Sequence, residues 1–168
     1  RAYHFMGKDN ITFHTILWPA MLLGYGGLNL PYDVPANEFL NMEGFKLSTS
    51  GNWAVWLPDY LDQYEPDPLR YVVAANMPES SDSDFSWREY VRANNDELVA
   101  TWGNLVHRVL TMSHRNFDGA VPPFSADRQD AKGTALLTAA SMLPEEVGGD
   151  IGDAHFRRGL ERSMALAR

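Results

Sequence analysis

A short polar segment near the start of the chain could contact a nucleotide. Gly7-Lys8-Asp9-Asn10 lies between a predicted strand and a predicted helix. Ligands of open α/β sheets bind beyond the carboxyl ends of the strands. A glycine there lets the backbone approach the ligand, and an aspartate can accept hydrogen bonds from a ribose diol. The alternative is an ordinary strand-to-helix turn in which Asp9 or Asn10 caps the helix.

A second polar segment, Lys46-Leu47-Ser48-Thr49-Ser50, could bind phosphate. It holds one lysine and three hydroxyl groups and is preceded by Asn41-Met42-Glu43-Gly44. Ammonium and hydroxyl donors stabilise phosphate oxygens that gain charge during a reaction. The segment is not a Walker loop, because the pattern G-x-x-x-x-G-K-[ST] does not occur in the chain. The alternative is a solvated surface turn.

Two groups of side chains on predicted helices are also candidates. His14 and Trp18 are four residues apart on one helix face and either pack in the core or border an apolar pocket. A polar stripe on the long helix contains Asn104, Arg108 and Arg115. It is either a solvated helix face or a surface that binds the unstacked bases of single-stranded RNA. The other side of that helix is apolar and is expected to face a core: Leu98, Trp102, Leu105, Val109 and Met112.

The elements that must position these residues follow from periodicity and from proline and glycine. We expect strands over 3–6 and 34–42, the second followed by a turn at Glu43–Gly44. We expect helices over 11–23, 53–64, 68–76, 86–116, 128–142 and 153–168. Pro19 should kink the first helix. Ser86 and Glu89 form the capping box of the long helix. We expect a Pro-rich loop over 117–126 and a connection over 143–149, and a domain boundary near residue 85.

Composition excludes several classes of protein. The 168 residues are 45% hydrophobic and contain no cysteine, so disorder, disulfide scaffolds, thiol catalysis and Cys-ligated metals are excluded. The net charge is −8, with eleven acidic and four basic residues in 1–85 and a nearly balanced second half. An acidic protein repels nucleic acid, so the charge argues against nucleic-acid binding by the first half but not by the second. The apolar run near 16–23 is too short to span a bilayer, and we expect an intracellular, soluble protein. His107 and His114 lack an obvious third metal ligand.

Several long motifs stand in an order that resembles the methionyl-tRNA synthetases. They are FMGKDNITFHTILWPAML, NEFLNMEGFKLSTS, NWAVW, DPLRYVVAANMPESSDSDFSW and NNDELVATWGNLVHR. The chain is most similar to the class I subtype whose signature loop reads K-[IL]-S-T-S. The resemblance is strong over residues 3–119 and continues more weakly to the last residue.

The resemblance implies a fold in three parts. Residues 1–50 resemble the second half of a Rossmann-like α/β catalytic domain with the signature loop at 46–50. Residues 51–85 resemble a stem-contact connector, and residues 86–168 an all-α anticodon-binding bundle truncated at its C-terminus. The implied whole is mostly helical. An end in the middle of an amphipathic helix, and the absence of an initiator methionine, lead us to expect a piece of a longer chain.

The resemblance also implies roles for individual residues. ATP is implied to be bound by Gly7, Asp9, Lys46, Ser48 and Thr49, and Lys46 and Thr49 are the implied catalytic residues. His14 and Trp18 are implied to border the methionine and adenylate pocket. Asn104 and Arg108 match the pair that contacts the methionine anticodon. The implied partners are methionine, ATP with Mg²⁺, tRNA(Met) and the missing N-terminal half of the catalytic domain, with no membrane, no DNA and no metal site in this segment, in the cytoplasm.

Three departures from the family pattern qualify these expectations. The H-x-G-H motif and the family's zinc-bearing insertion are absent, so this chain alone is expected not to activate methionine. Gly51 stands where an arginine commonly follows the loop. The last helix stops before the aromatic residue that stacks on an anticodon base. The alternative function is a non-enzymatic tRNA-binding or scaffold module derived from the same family.

Overall fold

A computed structural model describes residues 1–123 and 130–168, and the described residues are mostly helical with two small sheets. The chain divides into two compact units. The first contains Arg1–Tyr64 and Asn76–Ser86, and the second contains Glu65–Ala75 and Trp87–Arg168. The expected helix start at residue 128 falls outside the described residues. Within the described ranges, no helix has the length and apolar character needed to cross a membrane.

The strands of the first unit are short. They are β1 (Met6–Gly7), β2 (Ala36–Asn37), β3 (Leu40–Met42), β4 (Phe45–Lys46) and β5 (Ser83–Phe85). β1 pairs in parallel with β2, and the second sheet has the order β4-β3-β5, with β3 antiparallel to β4 and parallel to β5. The β3–β4 turn uses Glu43 and Gly44, both with positive φ, as the sequence predicts. Met42, Tyr60 and Phe85 form the buried core of this unit.

The predicted elements of the first unit are interrupted more often than expected. The expected strand over 34–42 is divided into β2 and β3. By contrast, the expected helix over 11–23 is present as one helical run over 11–25, which contains a five-residue π-type segment, Phe13–Leu17, before α1 (Trp18–Tyr25). Pro19 lies inside this run, directly after the π-type segment, and the helix continues through it. The expected helix over 53–64 is reduced to α2 (Leu57–Leu61).

The second unit begins with α3 (Pro66–Ala75) and the long helix that the sequence predicts. That helix comprises α4 (Trp87–Arg92), a π-type segment (Ala93–Gly103) and α5 (Asn104–Phe117). In the widened segment the hydroxyl of Thr101 donates to the carbonyl oxygen of Asp96, five residues earlier, at 2.8 Å. The helix ends where Asp118 adopts a left-handed conformation with φ of 50°.

The expected break at 143–149 is wrong. α6 (Ala131–Gly152) continues through Pro144, and α7 (Phe156–Ala167) packs along it. Pro144 removes one hydrogen bond from the helix. Beyond it, acidic side chains of α6 form ion pairs with arginines of α7. Asp150 is buried and lies 2.5 Å from Nε of Arg158 and 2.7 Å from Nε of Arg162. These ion pairs join the last turn of α6 to α7, and the two helices pack against each other.

The predicted apolar face of the last helix is confirmed. Met164 is buried, and Phe156, Leu160 and Ala167 are half-buried. Gly159, on the same helix, is buried against α6, where its α-carbon leaves room for the side chains of Val147 and Ile151. The close approach of the two helices at this point requires a small residue in α7.

Candidate functional site

The turn after β1 brings Gly7 and Asp9 together. A Cβ atom added at Gly7 would lie 2.9 Å from Oδ1 of Asp9, which is closer than real side chains approach. A larger residue at position 7 would displace the Asp9 carboxylate from this position over the turn. Asp9 itself is exposed, so its oxygens can accept hydrogen bonds from a ligand.

Lys8, between these two residues, is the centre of an ion-pair network. Its Nζ contacts Oε2 of Glu38 and lies 2.9 Å from Oδ1 of Asp82. Hydrogen bonds to Glu38 and then to Asp82 raise the pKa of the Lys8 ammonium above its usual value. The backbone N–H of Phe39 and then the Lys8 ammonium hold the pKa of Asp82 below its usual range. Sequence analysis noted Lys8 in its turn but assigned it no role, because its partners are 30 and 74 residues away.

His14 and Trp18 are brought together as the sequence predicts. Their ring centroids are 6.1 Å apart in an edge-on arrangement, and both residues are half-buried. Nδ1 of His14 lies 3.1 Å from the carbonyl oxygen of Asn10. Because a carbonyl can only accept, Nδ1 carries the proton, and Nε2 keeps the lone pair when the ring is neutral. His4, which sequence analysis did not single out, stands edge-on to Trp18 at 4.8 Å.

The segment Lys46–Ser50 forms the tip of a closed hairpin. The backbone groups of Ser48 and Trp53 exchange two hydrogen bonds, of 2.9 and 2.8 Å. Nε1 of Trp53 donates to the carbonyl oxygen of Met42 at 2.9 Å. Lys46 and Thr49 are exposed, and Ser48 is half-buried. The hairpin therefore presents an ammonium and hydroxyl groups to solvent from a loop with fixed ends.

Gly51 fits tightly into this hairpin. Its N–H donates to Oγ of Ser48 at 3.0 Å. A Cβ atom at residue 51 would lie 3.0 Å from that oxygen and 3.3 Å from Cβ of Ser48. A larger residue here would push the Ser48 side chain away by a few tenths of an ångström. Gly51 thus lets the Ser48 hydroxyl close the turn, which sequence analysis did not foresee.

The polar stripe of the long helix lies on α5. Asn104, Arg108 and Arg115 are all exposed. The expectation that the opposite side faces a core is wrong for this structure: Trp102, Leu105, Val109 and Met112 are 39–62% exposed. Among the residues the structure describes, no group of three or more His, Asp or Glu side chains could hold a metal ion.

Comparison with known proteins identifies the family of this chain. The family model described as "tRNA synthetases class I (M)" matches residues 1–110. The chain therefore belongs to the class I tRNA synthetases of the methionine group.

Curated and solved relatives agree with this assignment. The whole chain is 55% identical to part of the methionine–tRNA ligase of Roseiflexus castenholzii and 50% identical to part of that of Thermomicrobium roseum. It spans 28% and 29% of the lengths of these two proteins. The crystal structure of Mycobacterium tuberculosis methionyl-tRNA synthetase bound by methionyl-adenylate matches 99% of this chain and 32% of its own, with a TM-score of 0.89 and 31% identity.

Proposed function

We propose that these residues are the part of a methionine–tRNA ligase that binds ATP through the signature loop and reads the tRNA anticodon. The observation that supports this most is the likeness, over 99% of the chain, to a synthetase structure bound by methionyl-adenylate. In the proposed reaction the methionine carboxylate attacks the α-phosphate of ATP, which gives methionyl-adenylate and pyrophosphate. The terminal hydroxyl of tRNA(Met) then takes the methionyl group.

The proposed ATP site consists of the β1 turn and the hairpin. Gly7 lets the adenosine approach the backbone, and the exposed carboxylate of Asp9 accepts hydrogen bonds from the ribose hydroxyls. Lys46 supplies a full positive charge to the triphosphate, whereas Ser48 and Thr49 supply hydroxyl donors. Mg²⁺ is proposed to enter as part of the ATP substrate. No side chain has to act as a nucleophile, so catalysis consists of positioning and charge stabilisation.

His14 and Trp18 are proposed to border the methionine and adenylate pocket. The fixed Nδ1 proton of His14 leaves Nε2 as a hydrogen-bond acceptor beside an aromatic surface. Such a pairing of one polar atom with apolar walls suits an amino acid that has an ammonium group and a thioether side chain.

Asn104 and Arg108 are proposed to bind the anticodon of tRNA(Met). Both are exposed and one turn apart on α5, so both can reach the same loop of RNA. Residues 1–50 are thus assigned to the catalytic domain, 51–85 to the connector toward the tRNA stem, and 86–168 to the anticodon-binding domain. The proposed compartment is the cytoplasm, where tRNA is used.

The second candidate is a non-enzymatic tRNA-binding or scaffold module derived from the same family. The 168 residues contain no H-x-G-H motif, which is the other half of the family's ATP site. By themselves they are therefore proposed not to form methionyl-adenylate. The family's zinc-bearing segment is likewise proposed to lie outside these residues.

Methionine-dependent exchange of pyrophosphate into ATP tests both candidates. The full-length protein that carries this sequence is compared with the 168-residue chain, and the native mass is read with an antibody against residues 86–168. Exchange by the full-length protein, and not by the 168-residue chain, supports the ligase. A native species of 18.9 kDa, free of any chain with H-x-G-H and without exchange activity, would favour the RNA-binding module.

A further inference from the structure

We infer that Lys8 is a positioning residue that holds the ribose turn and the strand leading into the signature loop at a fixed separation. The inference rests on the proposed function. It gives a role to a residue that no part of that function uses directly.

The contacts of Lys8 join three segments of the first unit. Lys8 directly follows β1, Glu38 lies between β2 and β3, and Asp82 lies just before β5. Nζ of Lys8 contacts Oε2 of Glu38 and is 2.9 Å from Oδ1 of Asp82. The same ammonium stands 4.4 Å from the ring centroid of Phe39, which adds a cation–π contact.

Backbone hydrogen bonds hold both acidic residues, through the side chain of Asp82 and through the main chain of Glu38. Oδ1 of Asp82 accepts the N–H of Phe39 at 2.9 Å, and the N–H of Glu38 donates to the carbonyl oxygen of Pro78 at 2.8 Å. Phe39 is the residue before β3, and β3 turns directly into β4, which ends at Lys46. A displacement of Lys8 is therefore transmitted to the base of the signature hairpin through one strand and one turn.

The charge balance argues against a direct role of Lys8 at phosphate. One ammonium faces two carboxylates, so the cluster carries a net negative charge and would repel a triphosphate. The side chains of Lys8, Glu38 and Asp82 are 34%, 33% and 48% exposed, and pairs of that exposure contribute little to global stability. The value of the network is geometric, because catalysis by orientation is sensitive to displacements of about 1 Å.

The test uses the full-length protein that carries this sequence. The variants are Lys8→Met, Glu38→Gln, Asp82→Asn and the double variant Lys8→Met with Glu38→Gln. Arg70→Met, which breaks the exposed pair with Asp67, is the matched control. Exchange of pyrophosphate into ATP is measured per titrated active site, together with the KM values for ATP and methionine and the melting temperature. Hydrogen–deuterium exchange of peptides spanning 6–12 and 38–46 is followed without substrates.

Lys8→Met is expected to lower kcat/KM for ATP about 10–100-fold, with the KM for methionine and the melting temperature unchanged. Glu38→Gln and Asp82→Asn also lower kcat/KM for ATP. The double variant loses no more than Lys8→Met, because the effects of coupled residues are not additive. Amide exchange rises in both peptides in Lys8→Met. The control behaves as wild type throughout.

Three results would overturn the inference. In the first, Glu38→Gln and Asp82→Asn keep full activity while Lys8→Met loses it, which means that Lys8 acts on phosphate directly. In the second, the loss of exchange activity across the variants is proportional to the fall in melting temperature or in the fraction of active sites, which means that the variants are only less well folded. In the third, amide exchange in 38–46 is unchanged. If the wild-type protein shows no exchange of pyrophosphate, the proposed function fails, and the amide-exchange result still decides whether Lys8 positions the hairpin.

Discussion

The indole Nε1 of Trp53 donates a hydrogen bond to the carbonyl oxygen of Met42, at 2.9 Å. Met42 is buried in the middle strand of the three-stranded sheet. Because Trp53 closes the hairpin, this bond joins the base of the hairpin to the core. The Trp53 ring also stands edge-on to Phe45 at 5.9 Å. The hairpin that carries Lys46 and the three hydroxyl groups is therefore held at its base while its tip faces solvent.

Replacing Trp53 with phenylalanine should loosen this hairpin. The change keeps an aromatic ring against Phe45 but removes the hydrogen-bond donor to the carbonyl oxygen of Met42. Leaving that oxygen without its donor should cost about 1–3 kcal/mol. We expect a higher KM for ATP in pyrophosphate exchange by the full-length protein. Trp56→Phe is the matched control, because its indole bonds only to the exposed side chain of Asn52. An equal rise in both variants would mean that the bond to Met42 has no special role.

Replacing Lys46 with alanine should slow adenylate formation. The loop then lacks its only ammonium, and loss of one charge-stabilising group costs about 10²-fold in kcat. Methionine affinity should stay nearly constant, since Lys46 is proposed to act on the triphosphate. Single-turnover kinetics of the full-length protein measure both quantities. A large loss of methionine affinity at normal turnover would contradict the assignment.

Replacing Arg108 with alanine should weaken binding of a hairpin RNA that carries the CAU anticodon by about 1–3 kcal/mol. A hairpin with a scrambled loop should lose much less, because the exposed guanidinium is proposed to contact bases. Lys132→Ala removes the same charge from the first turn of α6 and serves as the control. Equal losses for both RNAs would show that Arg108 contributes only charge. Titrations at two salt concentrations separate these cases.

Gly159 offers a test of the packing of α6 against α7. An added Cβ atom would lie 3.5–3.7 Å from side-chain atoms of Asp150, Ile151 and Val147, which is ordinary contact. Gly159→Ala should therefore keep or improve stability, by up to about 1 kcal/mol from helix propensity. Gly159→Leu should destabilise the unit by about 1–3 kcal/mol through overpacking. Gly148→Leu, where a Cβ atom meets nothing within 4 Å, should be harmless in the same urea titration.

The Lys8 network should make stability depend on pH in acid. The N–H of Phe39 and the Lys8 ammonium lower the pKa of Asp82, so the ionised carboxylate stabilises the folded state above the usual Asp pKa of about 3.9. That contribution is lost as the pH falls through the lowered pKa. Because these groups are exposed and contribute little to global stability, the difference in melting temperature between wild type and Asp82→Asn should be small near neutral pH and should vanish below about pH 4. A constant difference across this range would contradict the role of the charge.

Local signals determined much of this structure. The long helix from Trp87 to Phe117 follows from a proline-free stretch with a polar start, and the glycine-containing turn at 43–44 was evident from its residue types. The pairing of His14 with Trp18 needed only helical spacing. The order of long motifs pointed to the family, which the family model and the relatives confirm. All of these signals lie within a few residues or in the linear order of the chain.

Tertiary structure alone decided the features that join distant residues. Lys8 is 74 residues from Asp82, and nothing local to either residue marks them as partners. Pro144 predicted a helix end, but α6 continues through it and packs along α7. In both cases the deciding contacts are made between separate elements of structure. A reading of local propensity contains no information about those contacts.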